Sequence, residues 1–304
     1  MEDKEKFILI DGSGLVYRGF YAVPPFFKSP KGVQTNAVFG FANILLSLLT
    51  TQKPQYIAVA FDKKGPTFRH KEFAEYKATR VKAPQELYDQ IPLVKTLVQT
   101  LGIPLFETAG FEADDIIAAI SKGLSSRNNF QTLIATGDFD LFQLVNKNTA
   151  ILYPAKGFKL AETMHLEDVI KKYSLTPEQI PDYKGLAGDH SDNIPGVMGI
   201  GEKGAKDLLS KYKTLENIYE HIGEITGAMK KKLEAGKESA FMSKHLATLC
   251  SDMPVDFDLM QCKVKDLNVK ALKELFAEYG FKSLIKRLDD IYGTESMSAQ
   301  SSLF

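Results

Sequence analysis

An α/β fold, with a mainly parallel central sheet flanked by helices, is predicted by three short apolar runs in the first half of the chain and by the acidic residues just beyond each of them. The runs are Phe7 to Ile10 (FILI), Tyr56 to Phe61 (YIAVAF) and Thr132 to Thr136 (TLIAT). Nearly continuous apolar strands are those buried on both faces, and strands alternating with helices form parallel sheets. FILI runs into Asp11, YIAVAF into Asp62, and TLIAT into Gly137-Asp138-Phe139-Asp140. Ligand sites of open α/β sheets lie at the carboxyl ends of the strands, so these acids are expected along one edge.

The next elements are read from periodicity. FEADDIIAAI, from Phe111, starts a helix with Glu112, Asp114 and Asp115 in its first turn. Acids suit that position because the unpaired N–H groups there carry partial positive charge. Three of them repel one another unless a cation neutralises them or they fan out into water, and the stretch alone does not decide. The second half is mostly helical, with apolar spacing over Glu167–Tyr173, Pro177–Gly188, Glu202–Lys213, Leu215–His221, Ala228–Glu234, Glu238–Leu249 and Val269–Leu288. This divides the chain into an α/β core over 1–175, a helical region over 176–292 and a Ser-rich flexible tail over 293–304.

Composition narrows the class. The 304 residues, 44% of them hydrophobic, suit a folded protein. Cys250 and Cys262 have no metal-ligand spacing, which points to thiols in a reducing cytoplasm. Val38–Leu49, the longest apolar stretch, is shorter than the roughly 20 residues that span a bilayer, and the opening lacks a signal-peptide pattern. Lys plus Arg equals Asp plus Glu at 38 each. Charge is nevertheless uneven: Lys63, Lys64, Arg69, Lys71, Lys77, Arg80 and Lys82 crowd one segment with Phe68, Phe73 and Tyr76 among them. Cations with interleaved rings suit a single-stranded nucleic acid, and an exposed helix with Glu/Lys pairs accounts for the same pattern.

Asp11, Asp62, Glu112, Asp114, Asp115, Asp138, Asp140, Asp189 and Asp192 make nine carboxylates, most at strand ends or helix starts. If even five share a pocket, cations must join them. All-oxygen ligands favour Mg²⁺ or Mn²⁺, and two such ions suit in-line phosphoryl chemistry.

In order, LIDGSGLVYR, AFDKKGPTFRH, YKATR, GFEADDIIA, TGDFDLFQLV and GDHSDNIPGVMGIGEKGA resemble the flap-endonuclease-like 5′ nucleases, most closely the 5′→3′ exonuclease domain of bacterial DNA polymerase I. The resemblance spans residues 5 to 292 and contains every acid named above. It implies that Asp11, Asp62, Glu112 and Asp114 bind the ion nearest the scissile phosphate, and that Asp115, Asp138, Asp140, Asp189 and Asp192 hold a second. It implies a helical arch over 63–90, with Lys77 of the YKxxR pattern reaching the phosphate, Arg80 one turn on and Arg69 a further phosphate contact. Phe139 and His190 depart from the family pattern without removing a ligand. Tyr17, Phe20 and Tyr21 are candidates for base stacking or for core packing.

Gly199-Ile-Gly201-Glu-Lys-Gly204 satisfies GxGxxG, but it comes after Asn193-Ile194-Pro195-Gly196 rather than a strand, so a dinucleotide site does not fit. A helix-hairpin-helix over about 188–213 does. Its backbone N–H groups, with Gly199 and Gly201 in the turn and Lys203 and Lys206 beyond it, would hold a duplex phosphate, and the family likeness adds a K⁺ on the turn's carbonyls. Gln300-Ser-Ser-Leu303-Phe304 looks like the peptide by which bacterial replication proteins dock on the sliding clamp.

The expected activity is metal-dependent hydrolysis near single-strand/double-strand junctions: 5′ flap removal, 5′→3′ exonuclease action and RNA primer removal. A nucleoid-associated enzyme working beside a DNA polymerase domain fits this. The rivals are a junction-binding module with an inactive metal site and a related ribonuclease.

Overall fold

A computed structural model describes residues 4–127, 129–154, 161–265 and 268–300, the last eight of these as backbone only. Its centre is a six-stranded sheet of β1 (Glu5–Asp11), β2 (Tyr56–Ala60), β3 (Leu105–Phe106), β4 (Phe130–Ala135), β5 (Thr149–Tyr153) and β6 (Glu162–Met164), in the order β3-β2-β1-β4-β5-β6. The first five are parallel and β6 closes the edge antiparallel to β5. Side chains along a strand alternate between faces. Ile8 and Ile10 accordingly enter one core and Phe7 and Leu9 the other; Ile57 and Val59 part from Tyr56 and Ala58 in the same way. That two-sided burial is why the strands read as unbroken apolar runs.

One face is covered by α1 (Gly12–Ala22), α2 (Asn36–Gln52) and α4 (Gln85–Thr100), which comes after the short α3 (Phe68–Glu72). The other is covered by α5 (Ala113–Ser125), a 3-10 turn at Asp140–Leu144 and α6 (Leu166–Tyr173). The helical region comprises α7 (Ile180–Ala187), α8 (Glu202–Tyr212), α9 (Leu215–Glu220), α10 (Gly227–Ala235) and α11 (Lys237–Ala247) around a separate core that includes Leu186, Leu209, Leu215 and Leu233. Among the described residues no helix is long and apolar enough to cross a membrane; Val38–Leu49 lies within the buried α2.

The later part of the helical region returns to the sheet: Met253 and Cys262 join the sheet core beside α5, and Val264 N–H donates to the Gln55 carbonyl at 2.8 Å. Three expectations change. The single helix expected over Val269–Leu288 is two, α12 (Val269–Tyr279) and α13 (Lys282–Gln300), because Gly280 at φ 80° ends the first in a left-handed turn; α12 packs on α4, and α13 holds α2 through Arg287 and its contacts with Asn43 and Ser47. The tail expected to be flexible from 293 continues α13 to Gln300, since residues 294–300 contain no Pro or Gly to stop it; 301–304 lie outside the described residues. Finally, residues 63–90 are helical only at Phe68–Glu72 and from Gln85. Gly65-Pro66 and Pro84 interrupt the helix, and Lys77 at φ 57° turns the chain between them, so the expected arch is a strap.

Candidate active site

The central strands β2, β1 and β4 end side by side, and their acids meet there. Asp11 caps α1, accepting the Gly14 N–H at 2.8 Å, and its other oxygen accepts the Thr136 hydroxyl at 2.9 Å. Asp62 accepts the Ala113 N–H at 2.8 Å, so the acid after β2 fixes the start of α5. Asp138 accepts the Asp140 N–H at 2.9 Å. Burial pushes the Asp11 carboxyl up to about 7, with Asp138 and Asp62 adding repulsion against the Gly14 hydrogen bond. Burial, then Asp138, Asp11 and Asp62, raise Asp114 well above the carboxylate range. No Lys or Arg forms an ion pair with Asp11, Asp62, Asp114 or Asp138 among the described residues.

This gives a pH dependence with a definite sign. The native protein holds the Asp11 proton to about pH 7, whereas the unfolded chain releases it near 3.8. Between those values the native state binds more protons, so stability falls as pH rises. Asp189 and Asp192, both lowered, contribute the opposite slope, confined to the acid end of that window where the unfolded carboxyls still titrate. In EDTA, denaturant titrations at pH 5 and pH 8 should show a loss on the order of a few kcal/mol at the higher pH, and Mg²⁺ should reverse it. A flat profile would mean that the cluster does not store this repulsion.

The three acids of FEADD fan out in three directions. Asp114 faces Asp11, Asp62 and Asp138. Glu112 accepts Lys77 Nζ at 2.7 Å from the strap. Asp115 is fully buried and turns away: its carboxylate takes Arg69 Nη1 and Nη2 at 2.7 and 2.8 Å, the Glu112 N–H at 3.0 Å and the Cys250 N–H at 2.9 Å. Two sequence expectations are thereby corrected. Asp115 braces the start of α5 and faces no metal position, because its lone pairs are already occupied. Arg69, 2% exposed, donates also to the carbonyls of Leu246 and Thr248 and presents no face to a phosphate.

Asp140, Asp189 and Asp192 form the second group, with one oxygen of each within 4.8 Å of the others. The loop carrying Asp189 and Asp192 is pinched shut by Gly188 (φ 74°) and Gly196 (φ 64°); a Cβ on Gly196 would lie 2.3 Å from the Gly188 nitrogen. Lys184, which sequence reasoning missed, is buried on α7 and ion-paired to both Asp140 and Asp189. Burial opposes ionisation of Asp189, but Lys184 outweighs it and holds the carboxyl at about 2; Asp140, more deeply buried, is pushed up to about 6. The available signal was a lone lysine in the IPDYKGLA helix, five residues before the acid. Asp138, expected with this second group, acts on Asp11 and Asp114 as well as on Asp140, and so stands between the two.

The strap closes over these acids. Tyr76, named from the sequence only as a ring among the cations, is buried and places its hydroxyl 2.9 Å from Asp192 and 3.1 Å from Glu112. Lys77 lies 3.8 Å from Asp192, its backbone N–H donates to the Asp192 carbonyl at 2.9 Å, and Arg80 Nη2 reaches Asp192 at 2.5 Å. Burial disfavours the Lys77 ammonium, yet Glu112 and Asp192 raise its pKa, so it stays charged. Lys63, Lys64, Lys71 and Lys82 remain exposed along the strap. Tyr17 and Tyr21 are exposed while Phe20 packs on the core; Phe139 packs on Tyr173 with centroids 4.8 Å apart, and His190 is exposed.

On the helical side, α7, the glycine turn and α8 stand where the hairpin is expected. Gly201 and Lys203 are exposed, Lys206 pairs with Glu202 at 2.7 Å, and the Gly199 carbonyl accepts Lys232 Nζ at 2.8 Å. The side chains of Gln300, Leu303 and Phe304 lie outside what the structure describes.

A divalent cation fits this donor set: hard carboxylate oxygens, whose ionisation burial and then mutual repulsion oppose, meet at one sheet edge. In structure the chain is similar to the bacteriophage T5 5′-exonuclease with divalent zinc ions bound (22% identity, 90% of this chain and 100% of that, TM-score 0.68) and to the catalytic core of Rad2 in complex with a DNA substrate (19%, 95% and 92%, TM-score 0.62). In sequence it is 39% identical to a 5′-3′ exonuclease of Aquifex aeolicus over 97% of this chain and 98% of that one. It is 42% identical to DNA polymerase I of Bacillus subtilis over 95% of this chain, but spans only 33% of that relative's length. The 5′-3′ exonuclease N-terminal resolvase-like domain matches residues 6–174 and the 5′-3′ exonuclease C-terminal SAM fold matches 175–270, so the chain belongs to the 5′-3′ exonuclease family.

Proposed function

We propose that the chain is a structure-specific, metal-dependent 5′ nuclease that hydrolyses phosphodiester bonds where single-stranded DNA meets duplex. The observation that carries this is the meeting of Asp11, Asp62, Asp114 and Asp138 with Asp140, Asp189 and Asp192 at one sheet edge, under a strap that brings Lys77 and Arg80 onto the same acids.

Asp11, Asp62 and Asp114 would hold one Mg²⁺ or Mn²⁺, Asp140, Asp189 and Asp192 a second, and Asp138 would serve both. When bound, such ions activate a water and stabilise the leaving oxygen. The chain's own residues do the rest. Glu112 and Asp192 hold Lys77 and Arg80 at the acid edge, charged and within reach of a phosphate placed there. The exposed strap lysines draw in the single strand, and Gly201, Lys203 and Lys206 would grip the duplex backbone without reading its sequence. The turn carbonyls suit K⁺ less well than the sequence implies, since Lys232 already occupies that of Gly199.

Nicks, 5′ flaps and RNA primers are the substrates this arrangement suits, at cytoplasmic chromosomal DNA and beside a DNA polymerase domain. The QSSLF end would tether the enzyme to a sliding clamp; removing Gln300 to Phe304 should abolish clamp pull-down, and retained pull-down would end that idea.

The test is cleavage of a 5′-labelled double-flap DNA in Mg²⁺, beside a flap blocked at its 5′ end and a structured RNA. Incision near the junction, weakened by the block and absent on RNA, is expected. Lys77→Met should cut about a hundredfold more slowly, the scale of losing one positioned charge at a reacting oxygen. DNA binding without incision in either Mg²⁺ or Mn²⁺ would favour a junction-binding protein.

A further inference from the structure

The two carboxylate groups are neutralised differently. Asp11, Asp62 and Asp114 have no basic side chain in ion-pairing contact among the described residues, whereas in the second group Asp192 meets Arg80 and Lys77 from the strap and the other two acids share a cation from α7. Lys184, 5% exposed, is ion-paired with Asp140 and Asp189, two of the three residues whose oxygens gather within 4.8 Å. Its helix is anchored by its own contacts: Asp182, two residues earlier, accepts Lys244 Nζ at 2.6 Å and the Leu215 N–H at 3.0 Å. The ammonium is therefore delivered to the acids by a fixed backbone. An ammonium and a divalent ion cannot use the same carboxylate oxygens together.

We infer that Lys184 is a built-in counter-ion of the second metal position, which a divalent cation occupies only by displacing it, so that Lys184 keeps that position weak and the first one strong. The device stabilises the metal-free fold, because Asp140 and Asp189, both largely shielded from solvent, would otherwise lack an ion-pair partner. Displacement has room: Lys184 lines an open cavity of about 530 Å³ together with Asp138, Phe139, Tyr183, His190 and Lys206. This inference rests on the metal-dependent reading above and refines it.

Mn²⁺ titration by calorimetry, without DNA, separates the two. The native protein should bind a strong and a weak class of ion. Lys184→Met should tighten the weak class by about tenfold or more, leave the strong class unchanged and lower the melting temperature in EDTA; Lys184→Arg should keep the weak class weak. An unchanged or weakened second class in the Met variant would overturn the role of Lys184 alone, whereas binding of no divalent ion by the native protein would overturn the metal-dependent reading with it. Should the Met variant not fold, lysine-¹⁵Nζ spectra of the native protein decide. One slowly exchanging ammonium in EDTA should be lost on Mg²⁺ saturation, and its persistence would count against displacement.

Discussion

Asp114→Asn is expected to lower flap cleavage by about a thousandfold while leaving DNA binding intact. A metal site supplies several kcal/mol of transition-state stabilisation, and each 1.4 kcal/mol is about tenfold in rate. Among the described residues Asp114 forms no ion pair; Asp138, Asp11 and Asp62 press on it against a weaker pull from Lys77, so its charge serves the cation rather than the fold. The same change should raise the melting temperature in EDTA, because it removes a repelling carboxylate from a crowded cluster. It should also shrink the stabilisation that Mg²⁺ confers. Loss of activity accompanied by a lower metal-free melting temperature would instead identify Asp114 as a structural residue.

Arg69→Met should be the most destabilising single change in the strap. It leaves Asp115, with no exposed surface, facing a gap where two hydrogen bonds of 2.7 and 2.8 Å had been, and it strips the Leu246 and Thr248 carbonyls of their donor. Breaking one side of a buried pair removes about 3–5 kcal/mol, here a fall in melting temperature on the order of 10 °C. Asp115→Asn should lose less, since an amide oxygen still accepts backbone N–H groups, and the double variant should lose less than the sum of the two. If Arg69→Met melts normally but binds flap DNA weakly, the phosphate-contact role returns.

The sheet and its acid-bearing edge were legible because both depend on local pattern. FILI, YIAVAF and TLIAT announce two-sided burial, and an acid just beyond each lands at a strand end by geometry alone. The division of labour within FEADD was not legible. Whether Asp115 meets an ion or a guanidinium depends on residues 246–250, more than 130 positions away, and no periodicity reports that pairing. Lys184 was hidden for a different reason: a lysine within a short helix reads as surface, and only the fold shows it turned inward. The strap was read as a helical arch from its composition, but Gly65-Pro66 and Pro84 bound it, and the left-handed Lys77 was not foreseen. Periodicity likewise ran across Gly280, which breaks the last long helix in two.

The clasp of Arg69 and Asp115 onto the chain at Leu246–Cys250 also orders events during synthesis. A ribosome delivers every carboxylate of the cutting edge by Asp192, yet the brace for α3 and α5 emerges only some fifty residues later. A partly made chain therefore holds the reagents of an incision without the frame that aligns them. Chains released before Leu246 should cut no DNA. The acids of the edge are in this way made well before the clasp that aligns them.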